Sequence, residues 1–174
     1  MLIMLSYNDL NINYQGGDLN IRIEDLISLT GCPQHITGDF ICYRNDLTSL
    51  IGGPQKVDGD YICYSNKLTD LVGCASHIGG KLQLKSNELD RRPNKITSLV
   101  GIHKIIKSCG TISFNPIDIH TGGIGLLLIG NLTTILSYNK PFAIINSYLG
   151  EGTKGMMECR AELIAKGYSP YAIL

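Results

Sequence analysis

Four sets of residues have types and spacings that could do chemistry: the glycines Gly122, Gly123 and Gly125, the histidines His35 and His77, the cysteines Cys42 and Cys63, and the aspartates Asp18, Asp39 and Asp60. Glycines that expose backbone N–H groups cradle a phosphate when a helix starts directly behind them, with Lys-Ser or Lys-Thr in the strongest form. Here Leu126-Leu127-Leu128 follows and reads as a strand, which disfavours a phosphate loop. Zinc needs convergent imidazole or thiolate ligands. No Cys-x-x-Cys pair occurs, and His103 and His120 lack a paired-ligand pattern, so neither a metal nor a cofactor is expected. Stacked carboxylates can hold a cation or act as paired acids. Gly-Asp before a strand is also a turn device whose side chain bonds nearby amides, and that reading is preferred. No nucleophile has a recognisable base beside it, so an enzyme is disfavoured.

The spacing of these residues has a common origin in a repeat. Leu26–Asp46 reads LISLTGCPQHITGDFICYRND, Leu47–Lys67 reads LTSLIGGPQKVDGDYICYSNK, and Leu68–Glu88 reads LTDLVGCASHIGGKLQLKSNE, three consecutive copies of 21 residues. Ile96 begins a fourth copy after a seven-residue interruption, and Gly17–Leu26 aligns with Gly38–Leu47 as a weaker copy before them. Such a period marks a solenoid, in which each copy forms one coil and buries its apolar edge only against its neighbours.

Within a copy, Phe40-Ile41-Cys42-Tyr43 alternates as a strand, with Phe40 and Cys42 facing inward. Leu19 and Ile21, Tyr61 and Cys63, Leu82 and Leu84, and Gly110 and Ile112 take the matching inward places. Asn45, Asn66, Asn87 and Asn115 follow the strands at one fixed position, where stacked amides can bond the backbone of neighbouring coils. Leu47 and Leu50, with their equivalents, close the core from the turn side, and Gly31, Gly52, Gly73 and Gly101 permit the bend. So short a copy leaves room elsewhere only for extended chain or a single 3-10 turn. With strands ~4.8 Å apart, His35 and His77 stand two coils, roughly 10 Å, from each other, too far to share a metal. They read as surface residues. Cys42 and Cys63 read as small buried thiols in one inward row.

The strand-plus-asparagine pattern resembles the leucine-rich repeat family, with apolar residues five and three before the asparagine and two and five after it. The family's leading leucine falls eight before the asparagine, whereas Ile36, Val57 and Ile78 fall nine before. The flavour IxGDFxCYxNxLTSLxGxP is similar to short repeat proteins common in tailed bacteriophages, over roughly residues 17–117. The tail from Pro116 is similar, less specifically, to the non-repeat end of those proteins. The resemblance implies a solenoid and a phage setting, with interference against a host factor as a corollary, and no particular activity.

The expected architecture is mostly β with a small α cap. Residues 1–117 form a leucine-rich-repeat-like solenoid of 21-residue repeats with one parallel sheet face and an insertion loop at 89–95; residues 118–174 form irregular strands and a two-helix C-terminal cap. Gly122–Gly130 and Leu132–Tyr138 read as strands. Pro141 opens a helix with Phe142, Ile145 and Leu149 on one face. Met156, Cys159, Leu163 and Ile164 mark a second helix that Gly167 stops.

Lys+Arg and Asp+Glu balance at 15 each, so no net charge draws the chain to nucleic acid or an anionic membrane surface. No apolar run nears the ~20 residues of a membrane span, and Met1–Leu10 lacks the features of a signal peptide. Six cysteines without an export signal imply free thiols and a cytoplasmic location, the host cytoplasm for a phage-encoded chain.

The outward strand positions read Asn20 and Arg22, Ile41 and Tyr43, Ile62 and Tyr64, Gln83 and Lys85, then Thr111 and Ser113. Ile41, Tyr43, Ile62 and Tyr64, flanked by Arg22 and Lys85, make the best contact patch, because tyrosine offers large amphipathic area at low entropic cost. The plain alternative is that these side chains cover one another or lie under the tail. A second candidate is the insertion, where Arg91 and Arg92 with Lys95 suit an acidic or phosphate-bearing partner. Its plain alternative is a solvated loop. The leading expectation is a non-enzymatic module that binds a protein through the sheet face. The alternatives are a binder or sequestering protein for a small anionic, nucleotide-like ligand, using Arg91, Arg92, Lys81 and Lys85, and a self-assembling structural protein with homo-oligomeric contacts. Membrane and nucleic-acid partners are not expected.

Overall fold

The computed structural model describes residues 5–22, 25–85, 93–115, 119–137 and 139–174. In chain order the strands are β1 Leu5–Ser6, β2 Leu19–Asn20, β3 Leu26–Ser28, β4 His35–Ile36, β5 Phe40–Ile41, β6 Lys56–Val57, β7 Tyr61–Ile62, β8 His77–Gln83, β9 Ser108–Ser113 and β10 Thr134–Leu136. The helices are α1 Ile102–Ile105, α2 Lys140–Ser147 and α3 Gly152–Ala165, with 3-10 turns at Tyr7–Leu10, Ile124–Leu128 and Ser169–Ala172.

The chain winds as a right-through stack of coils of about 21 residues, and the described pairings are parallel. The main ladder runs β10-β9-β8-β7-β5-β2. Leu19, Phe40, Tyr61, Leu82 and Ile112 stand in register along it, and Ile112 pairs on to Ile135. A second ladder, just ahead of the main one in each coil and continuous with it in β8 and β9, aligns His35, Lys56, His77 and Ser108. The stretch leading into this ladder is turn and extended chain, as the short copy length requires, until α1 and the turn Ile124–Leu128 take that place in the last two coils, where the ladder itself runs on from Ser108 to Gly130. The first coil begins earlier than its weak sequence copy shows, since Leu5 pairs with Leu26.

Inward residues form one continuous core. Phe40, Cys42, Tyr61, Cys63, Leu82, Leu47, Leu50 and Leu68 have no exposed surface. The Phe40 and Tyr61 rings meet edge to face at 4.9 Å. A single coil could bury none of this alone, so stability comes from stacking.

Two frames differ from expectation. In the fifth coil Ile112 faces Leu82, with the register shifting between Ile78 and Lys81. The inward pair there is Ile112 and Phe114, both buried, rather than Gly110 and Ile112. The insertion of α1 absorbs the difference of two residues, and an even slip keeps every side chain on its face because the strand period is two. Gly122–Gly130 is not a strand: Ile124–Leu128 is a 3-10 turn whose first three residues are buried. Leu132–Tyr138 does carry a strand, β10, which extends the ladder.

Pro141 lies in the first turn of α2, and Phe142 and Ile145 are buried. Phe142 packs edge to face on Phe114 at 4.6 Å, which seals the end of the stack. In α3 the buried stripe is Gly155, Cys159 and Leu163, with Ile164 one helical step round and 52% exposed. Ile164 therefore does not face the core as its spacing suggested. Gly167 follows at φ +80°, the left-handed conformation that ends the helix. Among the described residues no helix is long and apolar enough to cross a membrane.

Candidate functional site

The outward face of the main ladder is fixed by its strand ends. Arg44 and Ser65, directly after Tyr43 and Tyr64, adopt φ +58° and +54° and turn the chain out of the sheet. Asn45 and Asn66 hold that turn from beneath. The Asn66 amide donates to the carbonyls of Cys42 at 3.0 Å and Cys63 at 3.1 Å, while its oxygen accepts the Leu47 N–H at 3.2 Å. Asn45 repeats this one coil earlier, donating to Ile21 and Cys42 and accepting from Leu26. Both are 2% exposed, so these bonds are shielded from water and specify the backbone path.

The third member of the row is Asn94. It donates to Cys63 at 3.0 Å and accepts the Leu68 N–H at 3.2 Å. Asn87, assigned to this place by counting 21 residues, lies outside the described residues. The signal that identifies Asn94 is local: Ile96 and Leu99 stand two and five residues after it, as Leu47 and Leu50 do after Asn45. The interruption therefore falls before the asparagine. Asn115 is half-buried and sits opposite Lys85 by the register of β8 and β9, two residues short of the row.

On this frame Tyr43 and Tyr64 stack face to face, ring centroids 4.5 Å apart and 12° from parallel. The Arg22 guanidinium lies 5.8 Å from the Tyr43 ring centre, and its Nη1 donates to the Tyr43 hydroxyl at 2.8 Å. Arg44 approaches the same ring at 5.9 Å. Its position after the strand had given no reason to expect that. Ile41 and Ile62 are half-buried beside the rings, as are Gln83 and Lys85 in the next coil. The structure thus brings Arg22, Ile41, Tyr43, Ile62, Tyr64 and Lys85 onto one face in adjacent coils. Ser113, by contrast, is only 2% exposed. Arg91 and Arg92 lie outside the described residues; Lys95 is exposed and donates its backbone N–H to Leu68.

The stacking limits what this face can do. Each ring covers one face of the other, and Arg22 and Arg44 lie over Tyr43, so the pair directs mainly ring edges and hydroxyls outward. A stack of this kind contributes about 0.5–1.5 kcal/mol beyond simple burial and holds the rings in place before any partner arrives.

The remaining candidate chemistry is absorbed by the coil stack. Asp18, Asp39 and Asp60 accept the N–H of Asp39, Asp60 and Lys81, each one coil on, at 2.7–2.8 Å. The amides they bond belong to the neighbouring coil rather than to their own turn. His35 and His77 are separated by Lys56 in the ladder. His35 Nε2 lies 2.8 Å from Asp58, which Lys56 also meets at 2.8 Å; these two contacts hold the exposed Asp58 carboxyl below its ordinary range. Among the described residues no group of three or more His, Cys, Asp or Glu side chains converges as metal ligands do. Burial pushes the Cys42 and Cys63 thiols well up and Cys32 to about 12, which removes thiolate reactivity. Gly122, Gly123 and Gly125 are buried, and a Cβ on Gly123 would press on Phe142 and Ile145. Gly123 thus makes room for α2, Gly122 for the Leu99–Val100 backbone of the preceding coil, and Gly125 for His103.

No protein-family model, no curated protein and no solved structure matches this chain.

Proposed function

We propose that the protein is a non-catalytic binding module whose outward sheet face, centred on Tyr43 and Tyr64, captures a protein partner. The pre-stacked tyrosine pair carries this reading. Two aromatic residues of adjacent coils, braced by Arg22 and half-buried isoleucines, offer a rigid amphipathic surface at little entropic cost on binding. Ring edges and hydroxyls suit hydrogen bonding and edge contact with a polypeptide. They suit a nucleotide less well, because a base stacks on a ring face and the stack takes one face of each tyrosine. The resemblance to leucine-rich repeats of phage type supports the reading, since solenoids of that kind present such faces to partners. On this reading the protein works in a cytoplasm, that of the host cell for a phage-encoded chain, which suits six free cysteines.

The test compares affinity capture from infected or expressing cells by the wild type and by Tyr43→Ala/Tyr64→Ala, with cooperative unfolding of both confirmed first. The double variant is expected to lose the partner that the wild type retains. Equal capture by both removes the sheet-face reading. Sedimentation of the purified wild type as a dimer that the double variant abolishes would assign the face to self-assembly instead.

A further inference from the structure

At the far end of the molecule the cap forms an open pocket of about 280 Å³, lined by Ile124, Met156, Met157, Arg160, Ala172, Ile173 and Leu174, of which Met157, Ile173 and Leu174 are exposed. That size falls just under the range of drug-sized ligand pockets and is about twice a cavity that admits benzene. Its walls come from three separate elements: the buried Ile124 of the 3-10 turn, one side of α3, and the chain beyond Ser169–Ala172. Methionines suit such a wall because their unbranched thioether adapts to the shape of a ligand.

Arg160 carries the one charged side chain in this lining. Its helical neighbours at three and four residues are Met156, Met157, Leu163 and Ile164, so α3 supplies no carboxylate for it. Among the described residues no acidic side chain pairs with it, in contrast to Lys166, which meets Glu162 at 2.7 Å on the same helix. Arg160 is exposed at the mouth, so its guanidinium reaches water while the body of the cavity is apolar. A guanidinium presents a fork matched to a carboxylate.

We infer that this cavity binds a small amphiphile with an apolar tail and a single carboxylate, the tail between Met156 and Ile124 and the head group on Arg160. This site is independent of the sheet face, and neither reading needs the other.

Methionine methyl NMR tests it. The chain has four methionines, of which Met156 and Met157 line the cavity. Octanoate is the probe and octan-1-ol its uncharged counterpart. The expected result is a saturable shift of the Met156 and Met157 methyl signals, with octanoate binding about fivefold more tightly than octan-1-ol, the scale of one solvent-exposed ion pair. Arg160→Gln should remove that preference, so that acid and alcohol bind with equal affinity. Absence of any shift at both methionines up to millimolar octanoate overturns the site. Equal affinity of the wild type for acid and alcohol overturns the head-group assignment, and that comparison needs no variant.

Discussion

The Asp39 carboxylate fills the space that a Cβ on Gly59 would need, and from there it accepts the Asp60 N–H at 2.7 Å. The same relation joins Asp18 to Gly38 and Asp60 to Gly80. The Gly-Asp step of the repeat is thus a contact between coils: the glycine of one makes room for the aspartate of the last. Gly59 has no positive φ, so its requirement is steric rather than conformational. Gly59→Ala should destabilise the protein by about 2 kcal/mol through overpacking, and Asp39→Ala by about 1–2 kcal/mol by leaving the Asp60 N–H without its acceptor. Removing the carboxylate relieves its part of the clash and leaves the Gly38 backbone at 2.9 Å, so the double variant should be more stable than the sum implies by about 0.5 kcal/mol or more. Urea unfolding of the four proteins measures this, and strict additivity would refute the contact.

The asparagine row gives a second expectation. Asn66→Ala strands the Leu47 N–H in the core and takes one of two amide donors from each of the Cys42 and Cys63 carbonyls, and should lower stability by about 2–3 kcal/mol. Asn94→Ala should fall close to it, because it strands the matching Leu68 N–H and leaves the Cys63 carbonyl with Asn66 as its amide donor. A loss below about 0.5 kcal/mol at Asn94, the scale of an ordinary surface substitution, would show that it does not belong to the row.

That row also shows what was legible in advance. Coil period, inward rows, parallel pairing and the placing of Arg22, Tyr43, Tyr64 and Lys85 on one face all follow from a 21-residue repeat and strand alternation. Asn94 and Phe114 did not, because both lie just past insertions, where counting residues fails and only the local apolar frame carries the register. Ile124–Leu128 misled because a short, fully buried apolar run has no periodicity to separate strand from turn. The stacking of Tyr43 on Tyr64 was implicit in the coil spacing. The Arg44 approach was not, since it depends on a left-handed residue at the strand end. The cavity at Arg160 arises between elements distant in the chain and left no local signal.

The tyrosine pair should be thermodynamically coupled. Tyr43→Ala and Tyr64→Ala each lose the same stack, so a double-mutant cycle should give about 0.5–1.5 kcal/mol of coupling. Arg22→Ala should couple to Tyr43 by about 0.5–1 kcal/mol. Both are read from urea midpoints at constant m. Coupling indistinguishable from zero between the tyrosines would mean that the rings do not stack in solution.

His103 sets an acid-side dependence. Burial, together with Lys104 and Lys107 beside it, lowers its pKa, and its buried Nδ1 has no hydrogen-bond partner next to Gly125. The folded state therefore resists a proton that the unfolded chain accepts. Stability from this group is fully present above the unfolded value near 6.5 and is lost as pH falls below it toward the depressed folded value. Asp58 and Glu162, whose pKa values are lowered, act in the same sense but only in the carboxylate range further down. Urea midpoints should fall between pH 7 and pH 5.5, and His103→Gln should flatten that fall. An identical slope in the variant would remove His103 as its source.

The thiols offer a direct check on the coil stack in solution. All six cysteines are free and buried. Only the thiolate attacks a disulfide reagent. Burial pushes Cys32 to about 12 and Cys109 and Cys159 to about 11, so at pH 8 the thiolate fraction at each is on the order of 10⁻³ or less. Cys42 and Cys63, wholly enclosed between coils, are shielded further. Ellman's reagent at pH 8 should therefore react negligibly with the native protein and release six equivalents in denaturant, with a native rate that climbs with urea as opening becomes frequent. Cys42 and Cys63 should be among the last to label, because reaching them requires separating adjacent coils of the central ladder. Fast native labelling of either one would mean that the coils do not close over the core, and the ordered tyrosine face built on them would lose its support.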